Sequence, residues 1–462
     1  MTIDMTRDIP DIPTLTRRHF FRAGSATVSG FWLLPMLRPF NVTAKENVTP
    51  RGGAEYCIFL FLNGGMSQLD SFDIKEGKWT PPDFDVRTVK PGVRMPYSLF
   101  PKLSGQLDHL AVARSVEAWE SAHSRAQYYM QVGHPFSPAR RNEMPALGAV
   151  IASEFASRRE ASDFLPPFVA MNFAGTSAGL VRQGCLPYAY GPLPIEMKQG
   201  TEFVIDPGEK AMFDRRWQLR EALEGSVPDS APSQEFTSFY QSALSMMTAP
   251  GLAEAFKIPD ADRVRYGGST LGDSCILARN LVRADAGTRF ISISHNGWDL
   301  HADMYDPKNK RNHYGLTREL DGAFSALLGD LGATYAKDGR TLLEKTFIVC
   351  MGEFGRTGGD LTVNKGRDHN RSAFTAIFAG AGVKGGQVFG VTDPNGVKVL
   401  QSEWEEKRSI YPEDVIVTMY SLLGIDWTKK ITNTPSGRAF EYIEQQSGTD
   451  FVRFREISNL LA

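Results

Sequence analysis

The chain has 462 residues, 42% hydrophobic and 23% charged, a globular composition with apolar material for one large core or two smaller ones, which excludes disorder along the whole chain. Lys and Arg number 51 against 53 for Asp and Glu, a formal net charge of -2, so there is no electrostatic reason to expect nucleic acid or an acidic membrane as partner. The 43 glycines and 27 prolines imply many turns and long loops, where sites are usually built.

In chain order, the first signal is Thr16-Arg17-Arg18-His19-Phe20-Phe21-Arg22, followed by an apolar run over 23–37. The run is too short for a comfortable membrane-spanning helix, and Val42-Thr43-Ala44 offers small residues at a spacing that suits a signal peptidase. The segment resembles a twin-arginine export signal. That resemblance implies a leader over 1–44, a spacer over 45–54, engagement of the twin-arginine translocation machinery, and export in the folded state to a periplasmic or secreted location in a bacterium. No transmembrane anchor is expected after processing. The bland alternative is a chance Arg-Arg pair ahead of a buried helix.

Next, Tyr56 to Leu62 is a continuous apolar run ending in Asn63-Gly64-Gly65, the pattern of a fully buried strand leading into a tight turn. Similar runs recur at 109–114, 168–171, 288–294, 346–351 and 374–379, separated by helical spacing over 124–132, 145–157, 209–223, 235–247, 274–284, 317–336 and 412–423. Alternating strand and helix predicts an α/β fold, a mostly parallel, doubly wound sheet with flanking helices. One domain over 55–445 is expected, with a helical insertion at about 172–270 and a tail over 446–462. Cys57, Cys185, Cys275 and Cys350 are far apart and form no CxxC, which reads as buried thiols and argues against a cysteine-held zinc.

In open α/β sheets function collects at the carboxyl ends of the strands, so the loops that follow each run are the ones to inspect. They carry Asn63 and Asp70; Ser121, His123, Ser124 and Arg125; His295, Asp299 and His301; Glu353 and Arg356; and Arg367, Asp368 and His369. Asp299 and His301 are separated by one residue, so an extended loop turns both side chains to one side, where they could grip one ion. Asp368 and His369 adjoin, so they diverge, serving two neighbouring ions or leaving one as a supporting partner. Hydrogen-bonded loops are the bland reading of each pair alone; four such loops at strand ends favour a site. Histidine with carboxylate suits a divalent metal, with zinc, manganese or calcium as candidates and the number open. Arg356 and Arg367 could hold an oxyanion or form salt bridges, and Trp298 is expected to pack.

The motifs FLNGGMSQLDSFD, LFPKLSGQLDHLAVARSV, HNGWDLH, MGEFGRT with GRDHN, and PEDVIVTMYSLLGID together resemble a large bacterial family, the domain of unknown function fifteen-oh-one, which is sulfatase-like and placed in the alkaline phosphatase superfamily. The resemblance runs from about Glu55 to about Tyr442. It implies an alkaline-phosphatase or sulfatase-like fold, with Asp299, His301, Glu353, Asp368 and His369 as metal ligands and Asn63, Arg356 and Arg367 around the anion. Asn63 stands where the superfamily carries its first metal-binding acid, for which Asp70 or Asp73 is the expected compensation, and Phe354 stands where many relatives carry histidine. Ser121 to Ala126 resembles the sulfatase signature with His123 in place of proline, so conversion of Ser121 to formylglycine is not expected. An unmodified Ser121 or Ser124 could attack phosphorus, with His123 as ligand or base and Arg125 beside it; alternatively Ser121 only caps the following helix. The reading is a metal-dependent hydrolase of small-molecule or polysaccharide phosphate or sulfate esters. Its rival is a catalytically weakened envelope protein that binds an anionic polymer or a protein partner.

Overall fold

The computed structural model describes residues 48–197, 249–309, 311–444 and 452–462, with 42–44 and isolated positions between 215 and 246. The expected leader up to residue 41 lies outside the described residues, as do nearly all of the helices expected over 209–223 and 235–247.

The core is one eight-stranded sheet. Its strands in chain order are β1 (Tyr56–Phe61), β2 (Leu110–Val116), β3 (Phe168–Met171), β4 (Leu193–Ile195), β5 (Phe290–Ser294), β6 (Thr346–Met351), β7 (Phe374–Gly380) and β8 (Gln387–Phe389). The spatial order is β8-β2-β7-β6-β1-β5-β3-β4. Strand β7 is antiparallel to both β2 and β6; the other pairings are parallel. The sheet is therefore mostly parallel, as the alternation of strand and helix predicts. Six of its strands match the continuous apolar runs; β4 and β8, three residues each at the edges, carry too little apolar signal to be read.

Helices cover both faces: α1 (His123–Val132), α2 (Leu147–Glu154), α3 (Thr270–Ala284), α4 (His313–Ala333) and α5 (Pro412–Leu422). All six residues of β1 are buried, because alternate side chains enter opposite layers. Cys57, Phe59 and Phe61 pack with α1, α2 and α5; Tyr56, Ile58 and Leu60 pack with α3 and α4. Each large apolar side chain so buried contributes roughly 1.5–3 kcal/mol. The cysteines are free; Cys57, Cys275 and Cys350 are buried and Cys185 partly so, and burial pushes the Cys185 thiol up to about 11.

Since β1, β2, β5 and β6 run one way, their carboxyl ends meet at one edge of the sheet. Strand β7 runs the other way and delivers the residues before it to that same edge. No helix of the described residues is long and apolar enough to cross a membrane. At the expected cleavage point, Val42–Ala44 forms a short strand antiparallel to Lys429–Ile431.

Candidate metal centre

Four residues from three separate stretches of chain converge at that edge: His123, Asp299, His301 and His369 each offer a ligand atom, all within 4.8 Å of one another. His123 is the first residue of α1. Asp299 and His301 follow β5 on one extended loop, and His301 Nε2 lies 2.9 Å from Asp299 Oδ1, so the two side chains share a side as their spacing predicts. His369 pairs with Arg356 in a small antiparallel ladder, Gly355–Arg356 against His369–Asn370.

The second nitrogen of each imidazole decides what the cluster can do. His123 Nδ1 is 2.7 Å from Glu353 Oε1, His301 Nδ1 is 2.7 Å from Asp368 Oδ1, and His369 Nδ1 is 2.7 Å from the Ser121 carbonyl. Carboxylates and carbonyls only accept, so each Nδ1 carries the proton and each neutral ring presents a lone pair on Nε2. Those lone pairs face inward. Nε2 of His301 and of His369 are 3.0 Å apart, and His123 Nε2, 3.0 Å from Asp299 Oδ1, makes no hydrogen bond. His369 Nε2 is 3.5 Å from the same oxygen. With metal–ligand bonds of about 2.0–2.1 Å, ligands around one ion sit roughly 3.0–3.4 Å apart, close to the separations of 2.9, 3.0, 3.0 and 3.5 Å seen here.

A proton on His123 is the alternative occupant: burial opposes it, but the neighbouring Asp299 and Glu353 carboxylates raise its pKa to about 9. His369 is moved the other way, by burial and by the charges of His123 and Arg356. Burial of Asp299 favours protonation, yet His123 and Arg356 hold its carboxyl well below the usual range.

The remaining candidates divide. Glu353, fully buried, sits behind His123 and accepts the Gly64 amide at 3.0 Å and 3.1 Å, while Asp368 sits behind His301. Neither is among the four clustered residues: each bonds the outer nitrogen of a clustered ring, the supporting position allowed for one of the Asp368–His369 pair. Arg367, 0% exposed, donates to Asp70 (2.6 Å and 3.1 Å) and to the carbonyls of Thr357 and Gly359. Arg356 donates to the carbonyls of Gly64, Gly65 and Arg367 and to Asp299 at 2.6 Å. Neither guanidinium is left to clamp an oxyanion, and Asp70, spent on Arg367, cannot compensate for Asn63. Asp73 is also taken, by Thr392, Lys75 and Arg114.

Asn63 itself bonds Asn296 at 2.6 Å and Gln127 at 2.5 Å, within the buried network behind the cluster and not toward an anion. His295 is buried against Glu319 and receives the Trp298 indole proton at 3.2 Å, and Trp298 packs. Arg125 is exposed and bonds Glu120 at 2.9 Å, outside the cluster. Ser121 and Ser124 are exposed at the start of α1. The cap position of α1 is Ala122, with no side-chain cap bond, so Ser121 is not the cap.

Two contributors carry little sequence signal. Gln127, one turn beyond His123, donates to Asn63 and Glu353 and accepts the Ala178 amide at 3.1 Å; a glutamine four residues after a histidine on a helix is the faint clue. The Phe354 ring, noted only as a departure, lies 4.8 Å from that of His123 and 4.6 Å from that of His369 and fixes both rings by packing.

Among solved structures, the chain is similar to a protein in the alkaline phosphatase superfamily from Vibrio parahaemolyticus (11% identity, 90% of this chain and 76% of that one, TM-score 0.37). It is also similar to a phosphonate monoester hydrolase from Silicibacter pomeroyi (13% identity, 87% and 78%, TM-score 0.36) and a sulfatase from Pseudoalteromonas sp. (12% identity, 82% and 68%, TM-score 0.35). No curated protein matches the chain. A family model described as "Protein of unknown function (DUF1501)" matches residues 54–449, most of the chain and all four residues of the cluster, so the chain belongs to that family.

Proposed function

We propose that this chain is an exported hydrolase of phosphate or sulfate esters that works with one divalent transition metal at His123, Asp299, His301 and His369. One observation carries the reading: three imidazole Nε2 atoms and a carboxylate oxygen crowd together while each ring's Nδ1 is bonded outward, an arrangement that a cation satisfies. Three imidazoles favour zinc or manganese over calcium, which takes oxygen ligands. Four protein ligands fill a tetrahedral zinc, whereas a six-coordinate ion such as manganese retains open positions. When bound, such an ion supplies Lewis-acid polarisation of an ester oxygen and an activated hydroxyl or water.

The chain's own groups then do the rest. Glu353, Asp368 and the Ser121 carbonyl hold the three rings in their metal-binding tautomer, and Arg356 fixes Asp299. Ser121 or Ser124, exposed beside the cluster, is the proposed nucleophile toward a small-molecule or polysaccharide ester. The rival reading, an envelope protein that binds an anionic polymer or a partner protein without hydrolysis, is favoured by the internal commitment of Arg356 and Arg367.

Protein purified without chelator should contain about one equivalent of transition metal and hydrolyse at least one member of a panel of aryl phosphates, phosphodiesters and aryl sulfates. Chelation or Asp299→Ala should remove the metal and the activity. Absence of stoichiometric metal overturns the reading. Metal without hydrolysis on the whole panel selects the rival.

A further inference from the structure

A concavity separate from the cluster lies beside the same helix. It encloses about 550 Å³ and is lined by Tyr128 of α1, by Arg141, and by Leu180, Arg182, Gln183 and Tyr188 of the following loop region; none of the four cluster residues lines it. That volume is in the range of small-molecule sites, ~300–1,000 Å³. The walls are stitched together in advance. Val181 N–H donates to Gln131 Oε1 at 2.9 Å, and Gln131 Nε2 donates to the Gly179 carbonyl at 2.9 Å. Ala146 N–H donates to the Arg182 carbonyl and Cys185 N–H to the Glu143 carbonyl, both at 2.8 Å.

The chemistry inside is one-sided. No carboxylate among the described residues lines the pocket. Arg140, next in the chain, is committed to Glu143 and to the carbonyls of Arg438 and Ala439. Exposed Arg141 and half-buried Arg182, by contrast, have no side-chain partner among the described residues. Burial without an offsetting acid pushes the Arg182 guanidinium down. Tyr128 Oη and Gln183 Oε1 are buried with no hydrogen-bond partner, in side chains 3% and 7% exposed. Buried polar groups rarely stay unpaired. At the rim, Tyr188 leaves an aromatic ring 43% exposed.

We propose that this pocket binds an anionic saccharide. Arg141 and Arg182 take its sulfate, carboxylate or phosphate through paired N–H donors, and Tyr188 takes the face of a sugar ring. The site is separate from the metal cluster and does not depend on the hydrolase reading. The two are linked through α1 and the Ala178 to Gln127 hydrogen bond, which place the pocket beside the network behind His123.

Calorimetric titration of the full chain tests this with four probes: a sulfated disaccharide, an unsulfated disaccharide containing a uronic acid, a neutral disaccharide, and inorganic sulfate or phosphate alone. Both anionic disaccharides should bind, the neutral one should not, and the inorganic ions should bind at least about tenfold more weakly. The variant Arg141→Gln/Arg182→Gln, checked for an unchanged melting temperature, should lose at least about tenfold in affinity, and Tyr188→Ala should lose less. Chelated wild type should bind as before. The proposal is overturned by equal binding in the double variant, by no binding of either anionic disaccharide at millimolar concentration, by inorganic anions binding as tightly as the saccharides, or by loss of binding on chelation, which would return the ligand to the metal cluster. If the double variant melts early, the single change Arg182→Gln decides between the same outcomes.

Discussion

His123 is held between two carboxylates, and in the absence of a cation it keeps a proton up to a pKa of about 9. That proton occupies the nitrogen a metal needs, so binding must displace it. Apparent metal affinity should therefore rise by about tenfold per pH unit through the neutral range and level off above about pH 9. Competition with a chelator across a pH series measures this, and an affinity independent of pH would remove His123 from the ligand set. His123, Asp299, His301 and His369 were legible as candidates because each follows an apolar strand-like run or precedes one. Which of the neighbouring acids would bind was not. Asp368 lies behind the His301 ring and Glu353 behind the His123 ring, each bonded to a partner far along the chain.

At the scale of elements, the β1 loop approaches the β5 loop so closely that a side chain at Gly64, whose φ is +108°, would strike the backbone of Trp298 and Asp299. Gly64→Ala should destabilise the fold by roughly 1–3 kcal/mol from strain alone and weaken metal binding by moving Asp299. A melting curve and a metal assay together check this, and an unchanged variant would show the loop to be adaptable. In α5, Glu413 is fully buried beneath Trp119 and Tyr129. Burial raises its pKa from 4.5 to about 7, against the hydrogen bonds from Tyr129 and Trp119. Because the folded value exceeds the unfolded one, its contribution to stability is complete below about pH 4.5 and is lost as pH rises through about 7. The loss is on the order of 3 kcal/mol at most, at about 1.36 kcal/mol per pH unit. Glu413→Gln keeps an acceptor for both donors and cannot ionise, so the wild type should lose stability relative to the variant between pH 5 and 8. Parallel pH profiles would contradict this assignment.

At the scale of the whole molecule, all eight strands of the central sheet come from residues after 55. Of residues 1–44 the described ones are Val42–Ala44, which pair with Lys429–Ile431 outside the central sheet. Replacing Arg17 and Arg18 together with lysine should block export, because the pair is the recognised feature of the signal. Cell fractionation of the double variant tests it, and normal export would dispose of the twin-arginine reading.

The sequence alone determined the α/β class, six of the eight sheet strands and the loops that bear the site, since buried parallel strands must be continuously apolar and polar residues at their ends stand out against them. It also determined that Asp299 and His301 face one way, a matter of backbone period. Tertiary structure decided the rest. The Arg367 to Asp70 pair joins residues 297 positions apart, and no local pattern announces that a guanidinium expected to hold an oxyanion is consumed by a distant carboxylate. The reversal of β7 is equally silent in the sequence, yet it is what brings His369 to the edge where the other three ligands meet. Convergence of side chains depends on strand direction and long-range packing, and those are properties of the assembled sheet, not of any one segment.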